Sequence, residues 1–331
     1  MRLLWPLSLI YGTLARKARL NTAVLQGPAL PLLVVGNLVA GGAGKTPAVI
    51  ALVQAFQAAG RRPGVITRGY GRQSDGVRAV TTHATAHTVG DEPLLIQRRT
   101  GVPVWVGRDR SAAALALCAA HPEVDMLLSD DGLQHHRLRR DAELLVFDDR
   151  GVGNGLLLPA GPLREPLPVQ LAQHQRALYT GQRISTALPG VLGQRELGRA
   201  WPLDAWLCGD ASASVALRDL HNMRGRHLLA VAGLATPQRF FDLLHAAGLT
   251  FDTLPLPDHH SYTTLPWPAA TTDVLTTEKD AVKINPTGLG GTHVWVVPLD
   301  FKLPGGLAAD LLNLLNLPTL SHAPQPKLPP P

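Results

Sequence analysis

The chain has 331 residues, long enough for two hydrophobic cores, and its 45% hydrophobic and 17% charged residues exclude a disordered class. Its two cysteines, Cys118 and Cys208, lie far apart without a CxxC pattern, which excludes a disulfide framework and a cysteine-based zinc site and points to a reducing compartment. A net charge of +6 suits an anionic partner without separating nucleic acid from acidic lipid or a phosphorylated substrate.

The opening segment MRLLWPLSLIYGTLARKARLN is apolar from Leu3 to Leu14, short of the roughly 20 residues that a membrane span needs. Its basic cluster, Arg16, Lys17 and Arg19, follows the apolar stretch, the reverse of signal-peptide order. It reads as an apolar-basic helix with Trp5 and Tyr11. Such a helix suits a lipid–water interface, and equally a first helix packed on a core.

From Leu30 the run LPLLVVGN reads as a buried strand, followed by a glycine-rich turn and a helix from Pro47 to Ala59. Arg62 to Thr67 is a second strand, Asp91 to Arg99 a helix, and VPVWV, ending at Val106, a third strand. Ser111 caps an alanine-rich helix up to Ala120, VDMLLS is a fourth strand and AELLVFD a fifth. Strands alternating with helices imply a parallel sheet covered on both faces. After Asp149, GVGNGLLLPAGPLREPLP is long enough for a functional loop. A second α/β unit begins near His227: HLLAVAG, a helix from Pro237 to Ala247, then TFDTLPL, DVLTT and HVWVVPL. Between Gly181 and Arg226 no periodicity is clean, so that stretch is connecting structure. The Pro-rich tail SHAPQPKLPPP cannot build a core and is expected to be disordered.

The most informative segment is Gly36 to Thr46, GNLVAGGAGKT, between a strand and a helix. Backbone N–H groups of Gly41, Gly42, Ala43 and Gly44 can turn inward around phosphate oxygens, Lys45 can reach the β/γ-phosphates, and Thr46 can hold Mg²⁺. Pro47 fits an early helical position. The strict GxxxxGK[ST] pattern is not met, since Val39 stands where its first glycine would be. GGxGKT matches the variant loop of partition and metallochaperone ATPases only in part, because Ala40 stands where their extra lysine would be. Downstream, an apolar strand runs into Asp130-Asp131-Gly132, so one of the two aspartates would face Mg²⁺ beside the phosphate loop. By itself Asp-Gly is also a common turn pair. Gln134 is placed to position metal-bound water.

The segments VVGNLVAGGAGKTP, VITRGYGR, VGDEPLL, SDDGLQH, LPAGPLREP, RFFDLL, LPDHHSYT and TTEKDAVK stand in the order found in the tetraacyldisaccharide 4'-kinases. The chain resembles that family from about Leu32 to Lys283. The resemblance implies a P-loop kinase using ATP and Mg²⁺ on the cytoplasmic face of the bacterial inner membrane. It would phosphorylate the 4'-hydroxyl of tetraacyldisaccharide 1-phosphate in lipid A biosynthesis. No nucleic acid and no obligatory protein partner are expected. The implied layout is an interfacial helix over 1–20, a P-loop NTPase-like α/β domain over 21–182, a smaller α/β domain over 183–318 that closes the cleft, and a disordered tail over 319–331.

Residue types alone make Asp91 an N-cap with Glu92 in the first turn. The resemblance makes it the catalytic base, paired with His259 of the Asp-His pair 258–259 across a cleft that closes. It also places Arg164 and Glu165 near the transferred phosphate or the substrate, where the residues alone suggest a surface ion pair. Arg68 to Tyr70 and Thr277 to Lys283 are family signatures without separate roles. A G-protein reading fails, because Ser129 occupies the aspartate position of DxxG and no NKxD is present. A metallochaperone would want denser histidines than pairs such as His135-His136. A nucleotide-sensing membrane adaptor would not need Asp91 or His259.

Overall fold

A computed structural model of the chain describes residues 4–21, 27–42, 44–209 and 219–317. The Pro-rich tail and Ala43 of the phosphate loop lie outside the described residues.

The first half runs α1 (Trp5–Asn21), β1 (Leu32–Gly36), α2 (Lys45–Ala58), β2 (Pro63–Thr67), β3 (Arg78–Ala79), α3 (Ala86–Val89), α4 (Asp91–Thr100), β4 (Val104–Val106), α5 (Arg110–Ala120), β5 (Met126–Asp130), β6 (Ala142–Phe147), β7 (Gln175–Tyr179) and β8 (Val191–Leu192). The eight strands form one sheet in the order β3-β4-β2-β5-β1-β6-β7-β8. Its pairings are parallel except β3 with β4. Strands β1, β2, β5 and β6 are buried at every residue, as a parallel sheet covered on both faces requires. Alternation along β1 sorts its side chains. Leu33 and Val35 join Phe56 of α2 on one face, and Leu32 and Val34 join Leu117 of α5 on the other.

The chain continues through β9 (Gln194–Leu197), β10 (Trp201–Pro202), α6 (Leu203–Cys208), β11 (Leu228–Ala232), α7 (Gln238–Ala246), β12 (Asp252–Pro255), β13 (Asp273–Thr277), α8 (Glu278–Ala281), β14 (His293–Val297), β15 (Leu299–Lys302) and α9 (Leu307–Leu314). Five of these strands form a second sheet, β10-β14-β13-β11-β12, parallel except for β10, while β9 and β15 pair antiparallel as a ribbon. The stretch expected to be plain connecting structure therefore holds β8, β9, β10 and α6. Each is two to six residues long, too short to show a period. A second correction concerns α5: its cap is Asp109, whose carboxylate accepts from the backbone N–H groups of Ser111 and Ala112, while Ser111 lies inside the helix.

One apolar cluster continues from Leu33 and Phe56 of the first sheet's layer to Val231, Val274 and Val296 of the second sheet. The other face of the second sheet packs on Phe240, Phe241 and Leu244 of α7. Polar contacts lock the same junction. Arg99 of α4 pairs with Glu278 of α8 at 2.8 Å and with Asp300 of β15 at 2.6 Å. Glu278 is 4% exposed and also accepts from the Trp206 indole N–H and the Leu299 backbone N–H. Removing Arg99 alone would strand a buried carboxylate. Arg99→Ala is expected to cost about 3–5 kcal/mol in urea unfolding, and the double variant Arg99→Met, Glu278→Gln to cost clearly less. Equal losses in the two would show that the charge pairing does not set the cost.

Candidate active site

The phosphate loop follows β1 because Asn37, fully buried at the strand's end, holds the turn from inside. Its amide donates to the carbonyls of Val39 and Gly41, at 2.5 and 3.2 Å. Its side-chain oxygen accepts from Lys45 Nζ at 2.9 Å. Gly44 caps α2 in a left-handed conformation (φ 75°), which glycine adopts without strain. The helix N-terminus thereby opens toward the carboxyl ends of the strands, where ligands of open α/β sheets bind. In the sequence, Asn37 stands out only as a polar residue at the end of an otherwise apolar strand.

Beside this loop, β5 ends at Asp130, which is buried and whose Oδ1 has no hydrogen-bond partner. Burial, with Glu92 and Asp131 adding repulsion, pushes its pKa up to about 7. Asp131 behaves oppositely. Burial would raise its pKa, but Lys45 and Arg164, each 3.3 Å from Oδ1, outweigh that and hold it below the usual carboxylate range. A divalent cation fits this donor set, since Asp130 offers a buried, unsatisfied oxygen and Thr46 is the second residue of the helix that follows the loop. Among the described residues no three His, Cys, Asp or Glu side chains form a metal site by themselves.

A cavity of about 400 Å³ opens next to Asp131, lined among others by Arg68, Tyr70, Glu92, Arg110 and Arg164. Three guanidinium groups facing one cavity suit a phosphorylated ligand. Arg110 is buried at the start of α5 and donates to the carbonyls of Arg108 and Asp131, at 3.0 and 3.1 Å. Its Nε is buried without a partner, and burial lowers its pKa. Gln134 joins the cavity, donating to the Asn37 carbonyl and accepting from Arg164, both at 3.3 Å. Glu165 is not part of this lining; it stands 3.5 Å from His136.

Asp91 opens α4, capped by Gly90 at φ 95°, where a Cβ would come within 2.9 Å of the Tyr70 carbonyl oxygen. Only glycine lets the helix start so close to the Arg68–Tyr70 turn. From the second sheet's loops His259 reaches Asp91, Nδ1 to Oδ2 at 2.8 Å, with its ring 5.3 Å from that of Tyr70. His259 itself has φ 59°, a strained backbone of the kind that clusters at functional sites. Lys283 and Lys279 stand 3.7 and 4.0 Å from the same carboxylate oxygen. Burial would raise the pKa of Asp91, but the His259 hydrogen bond and the two lysines prevail and lower it. In return, the hydrogen bond to Asp91 raises the pKa of His259 against its own burial. Asp91 and His259 are therefore together, and beside them are Lys279 and Lys283, to which sequence reasoning gave no role.

Asp91 therefore favours its ionised form, and the imidazolium of His259 is lost only above the ordinary histidine value. Asp91→Asn removes the group that raises the pKa of His259 and leaves burial and Lys279 to lower it. An NMR titration of the His259 ring is expected to move its midpoint from above 6.5 to below it. An unmoved midpoint would show that the two groups are not coupled.

With this geometry in view, comparison with known proteins is unambiguous. The family model for LpxK, tetraacyldisaccharide-1-P 4'-kinase, matches residues 1–316. The tetraacyldisaccharide 4'-kinase of Leptothrix cholodnii is 54% identical over 291 residues, covering 86% of this chain and 82% of its own. That of Methylibium petroleiphilum is 51% identical over 306 residues, covering 90% and 85%. Among solved structures, LpxK from Aquifex aeolicus, crystallised with ATP, superposes with a TM-score of 0.74 at 25% identity, covering 94% of this chain and 98% of that one. The chain belongs to the tetraacyldisaccharide-1-P 4'-kinase family.

Proposed function

We propose that the protein transfers the γ-phosphate of ATP to the 4'-hydroxyl of tetraacyldisaccharide 1-phosphate, forming lipid IVA for lipid A biosynthesis. Family membership supports the reaction, and the observation that carries the mechanism is the pairing of buried Asp91 with His259, next to Glu92 and Tyr70 of the arginine-lined cavity. The 4'-oxygen bonds to the γ-phosphorus as the bond from that phosphorus to the β,γ-bridging oxygen breaks, and ADP leaves. The hydroxyl proton passes to Asp91, which its cationic neighbours keep ionised and which His259 orients. The loop amides and Lys45 hold the phosphate chain, and Arg164, with Arg110 and Arg68, faces the charge on the transferred group. A Mg²⁺ held by Thr46 and Asp130 or Asp131 would neutralise charge on the phosphate oxygens. The unit around the second sheet supplies His259, Lys279 and Lys283, so closing that unit on the first completes the site.

No helix among the described residues is long and apolar enough to cross a membrane. On α1, Trp5, Leu7, Leu9, Ile10 and Leu14 are exposed, as is Leu4 just before it. Another side is fixed to the loop that carries Arg164: Ser8 Oγ donates to the Leu157 carbonyl at 2.8 Å and accepts from the Ala160 N–H at 3.0 Å, and the Tyr11 hydroxyl donates to the Arg164 carbonyl at 3.2 Å. An exposed apolar side on a helix docked at the site fits peripheral insertion into the leaflet holding the acylated substrate.

In detergent micelles, wild type is expected to transfer labelled γ-phosphate to tetraacyldisaccharide 1-phosphate. Asp91→Ala should lower kcat roughly 10²–10⁴-fold, and Lys45→Ala should also lose transfer. ATP hydrolysis without lipid product would sink this reading. Ile10→Asp with Leu14→Asp is expected to weaken sedimentation with anionic phospholipid vesicles about tenfold or more; unchanged sedimentation would refute interfacial docking.

A further inference from the structure

On the side of the phosphate loop away from the cavity lies a second basic cluster that the reading above does not use. The cavity abuts Asp131, just past β5, whereas this cluster gathers at the ends of β6 and β7, across β1 in the strand order. Arg150 Nη2 donates to the Gly42 carbonyl at 2.8 Å, and its Nε to Asp148 at 2.9 Å. Arg239 of α7 stands 2.9 Å from the same buried carboxylate. Asp148 is therefore engaged by two guanidinium groups. Arg195 of β9 has the less favourable place: its Nη2 donates to the neutral Thr180 hydroxyl at 3.0 Å, and its Nε is buried without a partner. Burial, followed by the like charge of Arg239, lowers its pKa and outweighs the nearby Asp148 and Asp149.

The position of Arg195 identifies what it lacks. Its Nη2 lies against the α-carbon of Gly44, the cap of α2, so closely that any Cβ there would collide with it. The free N–H groups of a helix's first turn normally bind the phosphate chain. Here Pro47, the third residue of α2, has no N–H, so one donor of that set is missing. A chain of phosphates that starts at the cavity with the transferred group and runs over the start of α2 leaves on the β6–β7 side, toward Arg195.

We propose that Arg195 is a positioning residue for ATP, whose guanidinium binds the nucleoside-proximal phosphate in place of the donor that Pro47 lacks. This inference rests on the ATP-dependent reading above. Because β9 belongs to the ribbon paired with β15, the contact also makes nucleotide affinity depend on the second unit.

Direct binding tests the inference without the transfer reaction. Dissociation constants for ADP and for inorganic tripolyphosphate are measured by calorimetry on wild type, Arg195→Ala, Arg195→Lys, Thr180→Val and Lys45→Ala. Ligand-free thermal unfolding of each variant establishes that it folds. Arg195→Ala is expected to weaken both ligands alike, roughly 10- to 100-fold, as loss of a charge-assisted bond predicts. Arg195→Lys should recover part of the loss, and Thr180→Val, which frees the guanidinium and also removes the hydroxyl's bond to the Phe147 carbonyl, should cost less than Arg195→Ala. Wild-type ADP affinity in Arg195→Ala, with affinity lost in Lys45→Ala, overturns the proposal while leaving the nucleotide site intact. Weakening of ADP alone, with tripolyphosphate unchanged, also overturns it, because the contact would then be to the nucleoside. Failure of wild type to bind ADP at all removes the ATP reading itself.

Discussion

A carboxylate almost withdrawn from water, yet kept ionised, is the constraint on which this structure turns. Asp91 is 4% exposed, and an isolated buried charge would be far too costly to keep. It is compensated by the His259 hydrogen bond and by two cationic side chains, Lys279 and Lys283, all from the far side of the junction. Lys283 is held in turn by Asp280, fully buried, which also accepts from the Gly233 backbone N–H and the Thr277 hydroxyl. Contacts at the ends of β11 and β13 thus determine the charge state of a group at the start of α4. The site is assembled by the same docking that buries the shared apolar cluster.

Asp130 and Asp131 illustrate how one backbone step reverses electrostatic environment. The last residue of β5 points into a buried setting, where one oxygen has no hydrogen-bond partner and Glu92 adds repulsion, so protonation is favoured. The next residue, at φ 51°, turns to face Lys45 and Arg164 and remains ionised. Asp131 thereby organises the loop's cations, while Asp130 keeps a buried oxygen free of protein partners. Arg164 belongs to the loop against which α1 is fixed, so the apolar helix and the cavity's arginine are joined through a few polar contacts.

The parts legible in the sequence were those whose chemistry is local. The glycine-rich turn announces itself because its backbone conformation requires glycine and its cation and hydroxyl follow directly. The apolar run into Asp130 is readable because a fully buried parallel strand needs uninterrupted apolar residues. Residues 181–226 were not legible: β9 pairs with β15, about a hundred residues further on, and neither strand carries a period by itself. Ser111 looked like a cap, but Asp109 two residues earlier takes that role; both are good capping types, and only the path of the backbone chooses between them. The partnership of Asp91 with His259 came from resemblance to a family and not from spacing, since 168 residues separate them.

The alternation of strands and helices, the glycine-rich loop, the acidic end of β5 and the apolar-basic first helix are all written in local spacing, because each depends on residues within one or two turns of each other. Tertiary structure decided which carboxylate would be ionised, that Lys279 and Lys283 stand beside Asp91, that Asn37 braces the loop, and that Arg195 arrives at Gly44 from a distant strand. Desolvation and charge pairing act through space over a few ångströms. Their outcome therefore depends on which segments the packing of two sheets brings together.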